Sequence, residues 1–298
     1  MNYHEILDKI TKFDIDELME FLFLNHLIYK EMNCDQCNVN MILKKLMDRT
    51  EKHSWRCMNT KCSKYKSTIS IRKGSFFEGF LTPIRILLKV YIYWISKEQR
   101  YKIISYSGIS QTCYNRFHER IVGYVSLYNQ KNPPRFGGPG IIVQVDETML
   151  SHPVKSHRGR APKKQIWALT IVDTSHKPAL GYAEIIENKS SGILIPIIQK
   201  IVIPGSIIHT DEHKSYGVLT QKGYLHDTVC HKYNFKDPIT GVHTQHVESY
   251  NNRLKLEIKK RKGIKSGHHQ DSLLEIVWQL NHSNCKLETL FSLIHVNK

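Results

Sequence analysis

The stretch "GIIVQVDETML", Gly140 to Leu150, is a run of apolar residues that ends in acidic ones. A short apolar run bounded by turn residues predicts a buried strand. "KKQIWALTIVDTS" and "LGYAEIIEN" predict two further strands, and "SIIHTDEHKSY" predicts a strand that again ends in an acid. Before that last strand, "SGILIPIIQKIVI" predicts a helix that Pro196 forces to start late or to kink. Strands mixed with helices in this order predict an α/β layered domain.

The segments on either side of this core complete the domain. "YLHDTVCHKYNF" is a candidate fifth strand, and "HTQHVESYNNRLKLEIKKRKGIK", which starts at His243, predicts a helix running to about Lys262. "SLLEIVWQLNHSN" predicts a last helix. Upstream of the core, "NQKNPPRFGGPG" is rich in proline and glycine and predicts a linker.

Two of the predicted strands end in carboxylates, Asp146 after "IIVQV" and Asp211 after "SIIHT", and Glu248 offers a third carboxylate from a helix. In open α/β sheets, ligands bind at the carboxyl ends of strands. Three converging carboxylates need cations, and Mg²⁺ prefers oxygen ligands. A pair of such ions suits phosphodiester chemistry, because it clamps the attacking and leaving oxygens. Any one of these acids alone is more often a surface residue or a cap. Glu147 and Glu212 are expected to support the site rather than to bind metal, since neighbours along a strand point to opposite faces.

Four of the seven cysteines form two close pairs. "CDQC" holds Cys34 and Cys37, and "CMNTKC" holds Cys57 and Cys62 after nineteen intervening residues. Each pair lies on a short turn, so four thiolates can converge tetrahedrally on one ion. Four unrelated buried cysteines are the alternative, but paired spacing at both ends favours one structural Zn²⁺.

The segment "KEQRYKIISYSGISQTCYNRFHERIVGYV" predicts a helix, a break at "SYSGIS" and a second helix that opens near Ser110. This is the pattern of a helix-turn-helix, whose second helix would present four polar side chains to a DNA groove: Gln111, Tyr114, Asn115 and Arg116. Short helix pairs around a glycine also occur in protein cores, so a packing role is the alternative.

The formal net charge is +16, and it is unevenly spread. Residues 1–31 hold seven acidic and three basic residues, which leaves +20 on the rest of the chain. A field of this sign favours a polyanionic partner, although a basic surface that is merely solvated is the alternative. The first residues are polar and acidic, so no signal peptide is expected. The apolar runs fall short of the ~20 residues that span a bilayer, so no membrane partner is expected.

The blocks "VDET", "TDEHKSY", "GYLHDTVCH" and "GVHTQHVESYNNRLK" strongly resemble the Merlin superfamily of DNA transposases and their bacterial insertion-sequence (ISXO-like) relatives. The resemblance covers nearly the whole chain, because those proteins also carry an N-terminal zinc ribbon. It implies a DDE recombinase with a ribonuclease-H-like fold, a triad of Asp146, Asp211 and Glu248, and two Mg²⁺ (or Mn²⁺) ions per active site. Lys255 matches a basic residue that the class often carries, whereas relatives often have a bulky aromatic residue in place of Asn251.

Glu248 and Lys255 are separated by about 700° on an α-helix and therefore share a face to within about 20°. This arrangement lets the carboxylate hold metal while the lysine grips the flanking DNA backbone. The same helix continues as a basic surface with Lys259, Lys260, Arg261 and Lys262. The loop "HPVKSHRGRAPKKQ" either grips DNA or is only solvated, and it carries Arg158, Arg160, Lys163 and Lys164.

These observations predict an N-terminal helical segment (1–33), a zinc ribbon (34–70), a helix-turn-helix region (71–131) and a ribonuclease-H-like catalytic domain (140–298). The expected function is that of a DNA transposase that binds terminal inverted repeats as a homodimer, cleaves them and joins them to target DNA. A domesticated, non-catalytic DNA-binding protein and a nuclease that cuts without joining are the alternatives. The expected location is intracellular, in the nucleus of a eukaryotic host or the nucleoid of a bacterial one.

Overall fold

The structure is a computed structural model that describes residues 3–151, 165–229, 242–264, 267–282 and 290–296. These residues form two compact units. The first unit holds Met1–Tyr124 together with the C-terminal segment from Ser283, and the second holds Val125–His282. Each unit is built on a sheet of its own.

The first unit carries a small antiparallel sheet with helices before and after it. Its elements are α1 (Tyr3–Lys12), α2 (Ile15–Leu24), β1 (Ile42–Lys45), β2 (His53–Arg56), β3 (Thr68–Ser70), α3 (Ile84–Ile95), α4 (Arg100–Ser107) and the start of α5 (Gln111–Lys131). Helix α2 begins with a capping box, because Asp14 accepts bonds from the Asp16 and Glu17 amides while the Glu17 side chain accepts from the Asp14 amide. Gly108 lies between α4 and α5 with a φ of 64°, a left-handed conformation that glycine adopts without strain.

The second unit is an α/β domain. Its elements are β4 (Phe136–Gly137), β5 (Ile142–Met149), β6 (Trp167–Asp173), β7 (Leu180–Ile186), α6 (Ser191–Ile201), β8 (Val202–Ile203), β9 (Ile207–Asp211), β10 (Leu225–Val229), α7 (Gln245–Lys260) and α8 (His269–Asn281). Five of these strands form one sheet in the order β10-β9-β5-β6-β7. Strand β6 pairs antiparallel with β5 on one side and with β7 on the other, whereas β9 and β10 run parallel to β5. This mixed sheet with helices on its faces is the ribonuclease-H-like fold, which confirms the predicted fold class.

Alternate residues of the strands divide the core of this domain between the two faces of the sheet. Val143 and Val145 of β5 pack in the cluster that contains α6. Ala168 and Val172 of β6 pack in the cluster that contains α7 and α8. A small residue is required on the second face, because a Cβ atom added at Gly181 would lie 2.2 Å from the ring of Tyr250 on α7. The sheet therefore holds α7 close against its surface.

The strands and helices predicted for this domain are all present, including the candidate fifth strand. Helix α6 begins at Ser191, so Pro196 does not delay its start. Pro196 has no amide hydrogen to donate to the Gly192 carbonyl, but Gly192 is exposed and water can satisfy that group. Within the described ranges, none of the helices is long and apolar enough to cross a membrane.

Candidate active site

Strands β5 and β9 bring two of the predicted acids together. The two strands pair in parallel, with Val143 beside Ile208 and Gln144 beside His209. Continuing this register places Asp146 beside Asp211 on one face of the sheet, because side chains alternate along both strands at the same pace. Carboxylate oxygens of these two residues and of Glu147 lie within 4.8 Å of one another.

Helix α7 brings Glu248 to the same face. Asp146 and Glu248 line one open cavity of about 350 Å³, together with Asn251 and Lys255. Lys255 thus shares the cavity with Glu248, in agreement with the helical spacing. Glu248 lies in the wall of this cavity and outside the group of three closest carboxylates formed by Asp146, Glu147 and Asp211. Asp146 therefore links the two groups, because it belongs to the carboxylate cluster with Asp211 and lines the cavity with Glu248.

Gln144 joins the strand of Asp146 to the helix of Glu248. Its side-chain oxygen accepts bonds from the amides of His246 (2.9 Å) and Val247 (3.1 Å), in the first turn of α7. Its side-chain nitrogen donates to the carbonyl of His243 at 2.8 Å. Thr244, the residue at the helix start, makes no side-chain capping bond, so Gln144 caps the helix from a different element. Sequence reasoning missed this residue, and its signal was a single polar side chain inside an apolar strand.

The charges at the centre of the site repel one another. Burial raises the pKa of Asp146 to about 6, and the neighbouring charges of Glu147 and Asp211 add to the effect. A divalent cation bound between these carboxylates would offset the repulsion between their charges. The carboxylates would in turn compensate the charge of the cation. The donor set of oxygen atoms fits Mg²⁺ or Mn²⁺.

Glu147 differs from the other two carboxylates because its charge has partners within the protein. Its side chain is 2% exposed, lies 3.4 Å from the ammonium of Lys189 and accepts a hydrogen bond from the hydroxyl of Tyr216. Burial and the Glu147 charge hold the pKa of Tyr216 well above its usual value, so the hydroxyl remains a donor. Glu147 thus links β5 to the segment after β9. Strand alternation does not keep its carboxylate away from those of Asp146 and Asp211, since all three lie within 4.8 Å of one another, and its supporting role stays a prediction.

Asn251 contacts Asp146 directly. Its side-chain nitrogen donates to Oδ2 of Asp146 at 2.8 Å, and the residue is 4% exposed. Its own Oδ1 is buried without a hydrogen-bond partner among the residues that the structure describes. The amide therefore orients one carboxylate oxygen of Asp146.

The four clustered cysteines lie together in the first unit. The Sγ atoms of Cys34 and Cys62 are 3.9 Å apart, as are those of Cys37 and Cys57. Four sulfur atoms at ~2.3 Å from a zinc ion would form a tetrahedron with edges of about 3.8 Å. Backbone amides of Cys37 and Gln36 lower the pKa of the Cys34 thiol to about 6, whereas burial raises the pKa of the Cys62 thiol to about 12. Binding of zinc would therefore have to displace the proton of Cys62. Together with the antiparallel sheet β1-β2-β3, this cluster has the form of a zinc ribbon.

The predicted DNA contacts of α5 divide into exposed and buried residues. Gln111, Asn115 and Arg116 are exposed. Tyr114 is 7% exposed and its ring lies 6.4 Å from that of Phe117, so it packs inside the unit and we do not keep it among the candidate contacts.

One residue of the predicted basic surface of α7 forms an ion pair within the domain instead. Lys255, Lys259, Lys260 and Lys262 are exposed. Arg261 instead donates to both carboxylate oxygens of Glu275, at 2.6 and 3.2 Å, and to Gln279 at 2.9 Å. Because Glu275 is 1% exposed, this pair anchors the end of α7 to α8, and we leave Arg261 out of the candidate DNA surface. Four basic residues of the predicted loop lie outside the described residues: Arg158, Arg160, Lys163 and Lys164.

Residues 138–281 match the family model of the ISXO2-like transposase domain. An uncharacterized transposase-like protein of Haemophilus influenzae is 30% identical over 105 residues, which are 35% of this chain and 84% of that protein. The chain belongs to the ISXO2-like transposase family. The resemblance seen in the sequence is thereby confirmed.

Solved structures with a similar fold include three retroviral proteins. The simian T-cell lymphotropic virus intasome is 19% identical with a TM-score of 0.33, over 61% of this chain and 68% of that one. The catalytic core of BIV integrase is 16% identical with a TM-score of 0.30, over 45% and 80%. The magnesium-bound catalytic core of HTLV-2 integrase is 16% identical with a TM-score of 0.31, over 55% and 100%.

Proposed function

We propose that this protein is an active DNA transposase that cleaves the ends of its element and joins them to target DNA. The observation that supports this most is the position of Asp146 in a member of a transposase family: its carboxylate is grouped with those of Asp211 and Glu147, and it lines one cavity with Glu248. A protein that only binds DNA gains nothing from three crowded acids, because their charges repel phosphate.

The proposed metal site uses this chain's own oxygen donors. Asp146, within β5, and Asp211, at the end of β9, would hold the cations, and Glu248 would complete the set from α7. When bound, two divalent ions stabilise the charge that develops on the attacking and leaving oxygens of a phosphodiester. Asn251 keeps the Asp146 carboxylate oriented through its bond to Oδ2.

The reaction consists of two phosphoryl transfers. In the first, a water oxygen attacks the phosphorus at the element end, and the bond from that phosphorus to the 3′ oxygen breaks to leave a free 3′ hydroxyl. In the second, this hydroxyl oxygen attacks a phosphorus of the target, and the target's own 3′ oxygen leaves. Lys255 lies in the same cavity as the carboxylates and holds the phosphate backbone next to the reacting group.

The other parts of the chain recognise and pair the DNA in this proposal. The four cysteines hold one structural Zn²⁺, and α5 presents Gln111, Asn115 and Arg116 to double-stranded DNA of the terminal inverted repeats. Two protomers pair two ends. The domain limits proposed from the sequence are 1–33, 34–70, 71–131 and 140–298.

The test uses the purified full chain, Mg²⁺ and a duplex that carries the inverted repeats flanking its gene. We expect nicks that leave 3′ hydroxyl ends, followed by joined products with a plasmid target. Cleavage without joining would identify a nuclease, and binding with neither reaction would identify a non-catalytic DNA-binding protein.

A further inference from the structure

A second cavity of about 540 Å³ lies beside the start of α7. Its lining includes five groups that are cationic or can become so: His176, Lys177, His243, His246 and Arg253. Among the described residues, no aspartate or glutamate lines it. We call this cavity the histidine-lysine groove. Its composition is suited to an anion.

We call the cavity of about 350 Å³ that Asp146, Glu248 and Lys255 line the carboxylate cavity. It is linked to the histidine-lysine groove by lining residues that both share with a third cavity. A third cavity, of about 400 Å³, shares Glu248 and Asn252 with the carboxylate cavity and Ser249 and Arg253 with the groove. On α7, Arg253 lies about 140° around the helix from Glu248, whereas Lys255 lies within about 20° of it. A chain of phosphates leaving the carboxylates can therefore cross over α7 into the groove.

Several groups in the groove are held in place by other parts of the domain. The backbone of His246 and that of His243 are fixed by Gln144. The rings of these two histidines are 5.5 Å apart. The guanidinium of Arg253 lies 5.8 Å from the ring of Tyr250 and 3.5 Å from the carbonyl of Leu280. Groups that are already ordered lose little conformational entropy when a ligand binds.

Asp173 is the acid nearest to His176 along the chain and interacts with it electrostatically, but it has other partners of its own. Asp173, close to His176, is 4% exposed and accepts bonds from the Gly137 amide and from the amide and hydroxyl of Ser175. Glu248 lies at the far end of the continuous surface, in the carboxylate cavity. Lys177 and His246 are both exposed, so the groove presents its positive groups to solvent.

We propose that the histidine-lysine groove binds the phosphate backbone of the DNA strand on one side of the scissile phosphodiester, while Lys255 holds the other side. The inference rests on the proposed function, because it takes the carboxylate cavity as the point of cleavage. It adds a direction: the strand crosses α7 rather than running along it.

The experiment compares the wild type with Lys177→Ala and His246→Ala. Both residues are exposed, so their loss leaves the core intact. Lys222→Ala is the matched control, since Lys222 is an exposed lysine of the same unit that lines none of the three cavities. Arg253 is not used, because its contacts with Tyr250 and Leu280 would also be lost.

Binding is measured by fluorescence anisotropy over a range of salt concentrations. Each duplex carries one neutral methylphosphonate at a chosen position near the cleavage point. We expect Lys177→Ala to lower the slope of log affinity against log salt by about 0.9, the value for one lost phosphate contact. At one or two positions on one side of the cleavage point, the methylphosphonate should weaken wild-type binding several-fold. At the same positions it should not weaken the binding of Lys177→Ala any further.

The proposal is overturned if Lys177→Ala and His246→Ala behave as Lys222→Ala does and each neutral phosphate has the same effect in all of them. Cleavage of the same duplexes with Mg²⁺ separates the two ideas. A wild type that cleaves normally while the groove variants bind normally rejects the groove alone. A wild type that binds these duplexes but never cleaves them rejects the proposed function.

Discussion

Replacing Asp146 by asparagine should stabilise the metal-free protein at neutral pH. The pKa of Asp146 in the folded protein is about 6, against an ordinary value of 3.8. A shift of one unit corresponds to about 1.4 kcal/mol, so ionising Asp146 costs the folded state about 3 kcal/mol. Asparagine has the same shape, still accepts the bond from Asn251 and carries no charge.

The difference in the free energy of unfolding between Asp146→Asn and the wild type should depend on pH. A carboxyl group whose folded pKa is raised destabilises the folded state above that pKa and has no effect below its unfolded pKa. The advantage of Asp146→Asn should therefore be near zero below pH 3.8, grow between pH 3.8 and 6, and reach about 3 kcal/mol at pH 7 and above.

The assay is urea denaturation in EDTA, followed by circular dichroism at several pH values, with Glu212→Gln as the control. Glu212 is an exposed acid next to Asp211, so its substitution should change stability by less than about 0.5 kcal/mol. Adding Mg²⁺ at a hundred times its dissociation constant should stabilise the wild type by about 2.7 kcal/mol and leave Asp146→Asn unchanged. An Asp146→Asn protein that is no more stable than the wild type at pH 7 in EDTA would refute the reasoning.

Three further predictions concern residues outside the carboxylate cluster. Gln144→Leu removes the cap of α7 and takes the acceptor away from the buried Val247 amide, so urea denaturation should show a loss of about 2–4 kcal/mol; an unchanged midpoint contradicts this. Metal analysis should find one zinc ion per chain in the wild type and none in Cys34→Ser, and a folded wild type without zinc would exclude the site. Arg261→Ala removes both guanidinium bonds to the buried carboxylate of Glu275 and should cost about 3–5 kcal/mol, whereas Lys259→Ala should only lower the salt dependence of DNA binding; equal stability losses would contradict the assignment.

The sequence predicted the parts of the fold that depend on local pattern. Apolar runs ending in Asp146 and Asp211 are visible without knowledge of the partner strands. The register that puts these two residues side by side follows from parallel pairing at the carboxyl ends of the strands. The cysteine cluster was likewise predictable, because its ligands come in close pairs.

The contacts that could not be predicted join residues far apart in the chain. Nothing near Arg261 in the sequence shows that Glu275 lies against it. The sequence therefore predicted that Arg261 belongs to the basic surface of α7. The strand predicted to end at Asp146 continues to Met149, because β5 pairs with β6 along its whole length. Asp173 does end a strand, yet it accepts bonds from Gly137 and Ser175 and serves the fold. Gln144 acts through residues a hundred positions away. Such roles depend on tertiary packing, which a single sequence does not display.

The most direct test of the account is Mg²⁺-dependent cleavage and strand transfer by Glu248→Gln. The substitution removes one proposed ligand but none of the lysines that hold phosphate. We predict loss of both reactions, while binding to the element ends is retained or slightly tighter, because a negative charge facing phosphate has gone. Glu187→Gln, at an exposed acid of the same unit that lines none of the three cavities, should cleave and join at the wild-type rate. Cleavage by Glu248→Gln at a rate near that of the wild type would contradict the assignment of the triad.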